Sequence, residues 1–374
     1  MNKQALKTQA MAIIDAMAPE LREISLFLHS NPELGREEIQ ALNCFRKLAY
    51  QHGFTWQENI SGYETAFIAT KGTGKHRIAF LAEYDALPGI GHACGHNLIG
   101  AMSWGAAVAF AAVAGDQAVS YSIGCPAEET DGAKVAMAAD GVFDGLTAAM
   151  IIHPADVNAM GGTSYATHPL EVTFHGQPAH VASKTHKGVN ALDAVVMFYQ
   201  ALPALRRTFT EETILPAIIT KGGTAPNIVP AEAAARLSVR ALSAQYLEDT
   251  VLPAVNRLAA GIAAATGTTV ATVHYEPLFQ ELINDSRLMA LYQDNMELLG
   301  ETVTVLPRGE ADGSTDVGNV SQIIPTIHPE IAIGCGLAAH TPAFAAAAGS
   351  DYAQQRLLIG VKAMVMTAID LLEL

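Results

Sequence analysis

The chain has 374 residues, of which 50% are hydrophobic and only 16% are charged. This length is typical of two domains, and the composition excludes a disordered chain, which would be poor in apolar and rich in charged residues. The formal net charge of −15 argues against a nucleic-acid partner, because phosphate binding relies on Lys and Arg.

Four cysteines are spread through the chain, unlike the dense pairing of a small secreted disulfide scaffold; they are Cys44, Cys94, Cys125 and Cys335. The N-terminal segment is predicted to be an amphipathic helix rather than a signal peptide, because Asp15 and Glu20 interrupt its apolar residues. No uncharged apolar stretch reaches the roughly 18 residues of a membrane span. We therefore expect a cytoplasmic protein without a membrane segment.

The first part of the chain alternates helices and strands, the pattern of an α/β sheet. Helices are predicted over 5–30, 37–52, 97–114 and 131–140. Strands are predicted over 64–70, 77–83, 119–125 and 147–153. Asn31-Pro32 ends the first helix, because the residue before a proline disfavours helical backbone.

The middle of the chain has a different order of elements, β-α-β-β-α-β, which is the ferredoxin-like arrangement. Its elements are predicted at 169–175, 188–206, 213–221, 232–242, 246–265 and 268–275. The α/β character then resumes and the chain ends in a helix near 351–373. The predicted architecture is a discontinuous α/β catalytic domain, 1–166 and 278–374, with a ferredoxin-like domain inserted at 167–277.

Residue types that can bind metals follow or end four predicted strands, 77–83, 119–125, 147–153 and a fourth at 331–334. Open α/β sheets place their sites just beyond the carboxyl ends of strands. Thiolate, imidazole and carboxylate groups are all ligands for zinc-like metals. The residues, in chain order, are Cys94, His96, Glu128, Glu129, His153 and His340.

Each of these motifs also has a purely structural interpretation. Cys94 and His96 could be a buried thiol and a hydrogen-bonded imidazole. Glu128 and Glu129 could cap a helix that starts near Asp131, or one could bind a metal while the other acts as a general base. Four such strand ends in register make a metal site the better explanation.

Taken together, these stretches resemble the family of two-metal aminoacylase and glutamate carboxypeptidase metallopeptidases. The branch that looks most similar comprises the amidohydrolases of indole-acetyl-amino acids, aminobenzoyl-glutamate and β-alanyl dipeptides. Matching motifs cover nearly the whole chain: 28–35 (LHSNPELG), 85–88 (DALP), 92–96 (HACGH), 126–129 (PAEE), 176–180 (GQPAH), 222–227 (GGTAPN) and 313–319 (GSTDVGN).

The resemblance implies two divalent metal ions per subunit and hydrolysis of the amide bond of a small N-acyl amino acid or dipeptide-like substrate. Zinc or manganese is expected: the soft thiol of Cys94 favours zinc, while manganese, cobalt and nickel stay open. Cys94 would bridge the two ions. His96 and His153 would complete one site, and Glu129 and His340 the other.

The resemblance also implies roles for residues that bind no metal. Glu128 would be the general base that deprotonates the catalytic water, and Asp85 would orient a ligand imidazole. His180, in the inserted domain, would reach across a homodimer interface to stabilise the oxyanion in the partner's site. Asn227 would contact the substrate.

Some positions depart from the broader family or stay open. Glu83 stands where many members have a metal-binding His, and Asn97 where an Asp often follows Cys-Gly-His. We do not assign Glu83 as a ligand. The roles of four further residues are left open: His92, Arg240, Asp316 and His328.

Two rival functions are less consistent with the sequence than hydrolysis. A catalytically silent small-molecule-binding protein could keep the fold, but the intact donor set and Glu128 argue against it. A zinc deaminase would pair His-x-Glu with Pro-Cys-x-x-Cys, and the second of these motifs does not occur in this sequence.

Overall fold

The computed structural model describes residues 2–372 and divides them into two compact units. The first unit consists of Met1–Thr163, Leu282–Glu310 and Asp316–Leu374, and the second of Ser164–Glu281 and Ala311–Thr315. The predicted inserted domain, 167–277, lies within the second unit.

The short segment Ala311–Thr315 differs from the sequence interpretation, which placed it in the catalytic domain. It belongs to the second unit because its contacts are made there. The Tyr165 N–H donates to the Gly313 carbonyl (2.9 Å), and Arg240 Nη1 donates to Ser314 Oγ (3.2 Å).

The first segment of the first unit contains helices and strands in alternation. Its helices are α1 (Lys3–Ser30), α2 (Ile39–Gln51), α3 (His96–Ala114) and α4 (Ala133–Ala139). Its strands are β1 (Thr55–Ile60), β2 (Tyr63–Gly72), β3 (His76–Ala82), β4 (Ala118–Gly124), β5 (Ala148–Met150), β6 (His153–Ala155) and β7 (Ala159–Thr163).

The second unit follows, and the chain then returns to the first. The second unit contains β8 (Ala166–Thr167), β9 (Leu170–His175), β10 (Ala179–His180), α5 (Ala191–Arg206), β11 (Thr213–Ile214), β12 (Ala217–Lys221), β13 (Ile228–Val229), β14 (Glu232–Leu237), β15 (Arg240–Ala241), α6 (Ala244–Tyr246), a π-helical turn (Leu247–Val251), α7 (Leu252–Thr266) and β16 (Thr269–His274). The last elements are α8 (Ser286–Leu298), β17 (Thr304–Ala311), α9 (Val317–Ser321), β18 (Thr326–Ile327), β19 (Glu330–Ala332), α10 (Pro342–Ala348) and α11 (Asp351–Asp370).

The main sheet of the first unit has the order β1-β2-β4-β3-β5-β18. Strands β4, β3, β5 and β18 run parallel, so their carboxyl ends meet at one edge. The antiparallel strand β1 was not anticipated from the sequence. A second sheet, of order β17-β7-β19-β6, also lay outside the sequence interpretation.

Helix α3 is the centre of the first unit's core and packs against α1 and α11. A Cβ on Gly105 would lie 2.8 Å from Leu21 Cδ2, so this glycine allows α1 to approach closely. By length and composition α3 could cross a bilayer, but 89% of its apolar stretch is buried in the structure. A helix that is apolar all round and buried in this way is a core helix.

The strand predicted over 147–153 is divided between the two sheets. Strand β5 ends at Met150 beside β3 and β18, and His153 opens β6, which pairs with β19. Backbone hydrogen bonds still join the two segments across this boundary, from the Ile151 N–H to the Ile327 carbonyl (3.2 Å) and from the His153 N–H to the Pro329 carbonyl (2.9 Å), but Pro329 has no N–H to donate in return. The prediction that His153 ends or directly follows the strand of the first sheet is therefore wrong. His153 begins β6, a strand of the second sheet.

The main sheet of the second unit is antiparallel and has the order β12-β14-β9-β16. Together with α5 and α7, it forms the predicted β-α-β-β-α-β arrangement, which is confirmed. Alternate side chains of β9 point into the core: Leu170, Val172 and Phe174 are buried against both helices. This alternation is the period of two that the sequence displays.

Candidate metal centre and active site

The predicted donors come together in the first unit from the loops after β3 and β4, the start of β6 and the turn before α10. Cys94 and His96 flank Gly95, which has φ 82° and precedes α3. A Cβ on this glycine would lie 2.8 Å from Pro154 Cγ. The glycine therefore lets the turn lie directly against β6, next to His153.

Two groups of donor atoms share Cys94. Within each group, the donor atoms lie within 4.8 Å of one another. The first contains Cys94, His96 and His153, with Cys94 Sγ 3.3 Å from His153 Nε2. The second contains Cys94, Glu129 and His340, with His340 Nε2 3.3 Å from Glu129 Oε1. These are the two ligand sets that the resemblance implies; the binding of metal to them stays a prediction.

His340 reaches this cluster from a strained backbone position. Its φ is 61°, a left-handed conformation that is uncommon for a residue with a side chain. Its N–H donates to the Ala93 carbonyl (2.9 Å), which fixes the turn beside Cys94. Such strain concentrates at functional sites.

Hydrogen bonds to Nδ1 orient both buried imidazoles. His96 Nδ1 lies 2.9 Å from Asp85 Oδ1, and His153 Nδ1 lies 2.7 Å from the Pro154 carbonyl. Carboxylate and carbonyl oxygens accept, so each Nδ1 carries a proton, and in the neutral ring each Nε2 keeps its lone pair for the cluster. Asp85 Oδ2 also accepts from the Glu129 N–H (2.9 Å).

The cluster contains buried polar atoms that the protein leaves without a partner. His96 Nε2 and Glu129 Oε1 have no hydrogen-bond partner among the described residues. Glu128 Oε2 and Glu129 Oε1 each lie 3.9 Å from His96 Nε2. Because orphaned buried polar groups are costly, this mixture of thiol, imidazole and carboxylate donors fits divalent cations.

The pKa shifts of the cluster residues also indicate a site that suits a cation. Burial raises the pKa of the Cys94 thiol to about 12 and lowers the pKa of His153 to about 3. Burial, together with the charges of Glu83, Asp316 and Glu129, raises the pKa of Glu128 well above its ordinary value. A bound cation would offset this crowding of negative charge and hold a coordinating thiol as thiolate.

A buried lysine next to the cluster was missed from the sequence. Lys134 Nζ lies 2.7 Å from Glu83 Oε1 and 2.6 Å from Asp316 Oδ1. Burial opposes its charge, but Asp316 and Glu83 outweigh burial and raise the pKa of Lys134 well above its usual value. Its signal in the sequence is that Lys134 is the lone charged residue of α4, AKVAMAA.

Glu38 is a second residue that sequence reasoning did not single out. It is fully buried and accepts from the Ala127 N–H (2.8 Å) and from Thr65 Oγ1 (2.7 Å). Ala127 itself has φ 60°. Glu38 therefore holds the unusual backbone from which Glu128 and Glu129 project.

His180 and Asn227 are neighbours in the second unit, so their predicted roles toward the first unit's donors stay predictions. Strand β10 pairs His180 with Ile228, and the Asn227 carbonyl accepts from the Val181 N–H (3.1 Å). His180 Nδ1 accepts from the Ala182 N–H (3.2 Å). In the neutral ring the proton then sits on Nε2, which is left as an exposed donor.

The structure shows the surroundings of three residues whose roles the sequence left open. His92 Nε2 bonds the Leu28 carbonyl (3.0 Å) inside the core, and Arg240 Nε donates to Ser238 Oγ (3.0 Å). The His328 ring lies 5.6 Å from that of His153. His92 and Arg240 thus have local hydrogen-bond partners, whereas His328 lies beside the metal donors.

Comparison with known proteins shows which families and structures this chain is similar to. A family model for the peptidase dimerisation domain matches residues 168–261. The mouse Xaa-Arg dipeptidase is 34% identical, over 99% of this chain and 89% of that protein. A component of the p-aminobenzoyl-glutamate hydrolase of Escherichia coli K12 is 32% identical, over 75% of this chain and 63% of its own length. A dinuclear metal-binding peptidase of the M20 family from Bacillus subtilis shares the fold, with a TM-score of 0.69, 21% identity and coverage of 96% of this chain and 99% of that one.

The ionisation of Glu38 provides a pH test. Burial raises its pKa from 4.5 to about 7, so between these values the folded chain keeps a proton that the unfolded chain has lost. The stability that this group contributes is complete below pH 4.5 and is lost as the pH rises through 7. In metal-free protein, Glu38→Gln should therefore lose less free energy of unfolding between pH 5 and pH 8 than the wild type. Urea unfolding followed by circular dichroism measures this.

The exposed neighbour Glu37 supplies the control, since Glu37→Gln should follow the wild-type pH dependence. Parallel pH dependence of the wild type and Glu38→Gln would show that Glu38 is not the buried, proton-retaining acid described above.

Proposed function

Because the chain belongs to the M20 peptidase family, we propose that it is a metal-dependent hydrolase of the amide bond in a small N-acyl amino acid or dipeptide. One observation carries the proposal. Two donor groups share Cys94, and the carboxylate of Glu128 lies beside them. This arrangement combines a place for two ions with a base within reach of both.

The relatives narrow the substrate class. One is named a dipeptidase for Xaa-Arg and another a hydrolase of p-aminobenzoyl-glutamate. Both names describe an amide bond to an amino acid. We infer the same kind of bond for this chain, with a small molecule rather than a folded protein as the substrate.

Zinc and manganese are the metals we propose. The Cys94 thiol is a soft donor that favours zinc, while the carboxylate of Glu129 also suits manganese. Two divalent ions, when bound, would polarise the scissile carbonyl and lower the pKa of water. His96 and His153 would hold one ion and Glu129 and His340 the other, with Cys94 common to both.

The chain's own residues would move the proton and hold the geometry. Glu128 would take a proton from the attacking water and deliver it to the leaving amine, as a general base and then a general acid. Its side chain is 12% exposed, so it can be reached by water. Asp85 would keep His96 turned so that Nε2 stays in the cluster, since it fixes Nδ1.

The second unit would supply contacts to the substrate and the interface of the homodimer. The Nε2–H of His180 would donate to the oxyanion, and the removal of such donors typically costs about 3 kcal/mol. Asn227, one residue before β13, would contact the substrate. The edge strand β12 exposes Ile218 and Ile219, and we propose that this edge forms a homodimer interface.

A catalytically silent binding protein is disfavoured by the same site. Loss of Glu128 would be the simplest route to silence, and Glu128 is present beside a complete donor set. The four cysteines are free thiols, which supports the further proposal of a cytoplasmic location.

The general-base role is tested by Glu128→Gln, which keeps the shape of the side chain but cannot take the proton. We expect kcat to fall by about 10²- to 10⁴-fold, while the metal content stays that of the wild type. The value of kcat is measured by turnover of a panel of dipeptides, N-acyl amino acids and aminobenzoyl-glutamate. The metal content is measured by elemental analysis. The exposed Glu64 gives the control variant Glu64→Gln, which should retain activity. Wild-type turnover by Glu128→Gln would exclude Glu128 as the base.

The role of His180 in the partner's site is tested by mixing two inactive variants, Glu128→Gln and His180→Ala. A mixed dimer has one site with both an intact Glu128 and an intact partner His180. With random assortment, activity should recover to about a quarter of the wild-type value, because half of the dimers are mixed and each has one working site. Subunit exchange is verified by native mass spectrometry. Verified mixed dimers that stay inactive would show that His180 does not act across the interface.

A further inference from the structure

We propose that Glu83 is an additional ligand of the metal ion held by His96, and that Lys134 and Asp316 fix it in this role. The inference rests on the proposed function, since it adds a donor to the same metal centre.

The two oxygens of Glu83 face different partners. Glu83 follows the last residue of β3, and its side chain is 1% exposed. Oε1 lies 2.7 Å from Lys134 Nζ. Oε2 lies 3.6 Å from His96 Nε2. One carboxylate thus connects a buried ammonium group to the metal donors.

The facing atoms are both without a hydrogen-bond partner. Glu83 Oε2 and His96 Nε2 are buried, and neither bonds to any described residue. In the neutral His96 ring, with its proton on Nδ1, an unpaired carboxylate oxygen faces an unpaired imidazole lone pair, which is unfavourable unless a cation, either a proton or a metal ion, lies between them. Donors about 2.0–2.2 Å from a common ion lie roughly 3–3.6 Å apart, and the observed 3.6 Å is within that range.

Asp316 and Lys134 form a closed support behind Glu83. Asp316 Oδ1 binds Lys134 Nζ (2.6 Å), and Oδ2 accepts from the Lys134 N–H (3.0 Å). Both Asp316 oxygens are thereby engaged by one residue. Both residues are fully buried, and a buried ammonium group needs its paired anions. Lys134 therefore holds Glu83 Oε1 by an ion pair rather than by a hydrogen bond of ordinary geometry, and Oε2 faces His96.

Three carboxylates beside the metal centre form an acidic group that does not need an ion of its own. Glu83, Glu128 and Asp316 offer oxygens within 4.8 Å of one another, which could suggest a separate cation site. The Lys134 ammonium already supplies a cation to two of these three carboxylates. The lysine thus takes the place of a further ion, and the free oxygen of Glu83 belongs to the His96 ion.

The pair Glu83→Gln and Asp316→Asn separates ligation from charge. Each variant removes one of the two negative charges that contact Lys134. Only Glu83→Gln changes an atom that faces His96. We expect Glu83→Gln to weaken the binding of one ion by at least about tenfold and to alter the visible absorption of the cobalt-substituted protein. Asp316→Asn keeps an amide oxygen that can accept from Lys134 Nζ, so the support behind Glu83 should persist. This variant should therefore keep the wild-type cobalt spectrum and bind metal within about threefold of the wild type. Competition with a chelating indicator measures the affinities.

Glu83→Asp provides a second variant in case the amide destabilises the buried lysine. It keeps the charge but shortens the side chain, so one carboxylate can no longer reach both Lys134 and the ion. The same loss of affinity and the same spectral change are expected.

The outcomes separate this inference from the proposed function. A wild type that binds two ions, with both Glu83 variants matching its affinity and spectrum, would overturn the ligand role alone. Equal weakening in Asp316→Asn and Glu83→Gln would overturn it as well, since the effect would then follow charge. A wild type that binds no metal would overturn the metal centre itself, and this ligand with it.

Discussion

The candidate site depends above all on the carboxylate of Asp85. One of its oxygens fixes His96 at the start of α3, and the other accepts the N–H of Glu129 in the loop after β4. Two loops that follow neighbouring parallel strands are thereby joined by one side chain. Glu38 stabilises the second of these loops, because its carboxylate accepts a hydrogen bond from the Ala127 N–H. Donor residues far apart in sequence are thus held ready before any ligand binds, which is the condition for a preorganised site.

A second constraint is the balance of buried charge. Glu83, Asp85 and Asp316 are almost completely buried, and Glu128 and Glu129 are close to them. Lys134 is the cation that the structure pairs with Glu83 and Asp316. Carboxylates at this density disfavour joint ionisation unless positive charge is near. The lysine stabilises one side of the cluster, and divalent ions at the Cys94 groups would stabilise the other.

Much of this arrangement was predictable from the sequence. The period-two alternation of β9 and the order of elements indicated the ferredoxin-like unit, and metal-binding residue types after successive strands indicated one site. The division of strand 147–153 between two sheets was not predictable, because it depends on pairing with β18 and β19, which are far away in sequence. Lys134 and Glu38 escaped notice for a similar reason: their partners Asp316 and Ala127 are 182 and 89 residues away. A buried charge is recognised only when its partner is seen.

The most direct test of the central claim is the number of metal ions bound per chain. Purified protein is stripped of metal, reconstituted with zinc or manganese, freed of excess ion and analysed for metal content, beside a Cys94→Ala variant. Our account predicts close to two ions per wild-type chain and a clear loss in the variant, because Cys94 belongs to both donor groups. A wild-type chain that stays near zero with either metal would contradict the account and make a non-catalytic binding protein the better explanation.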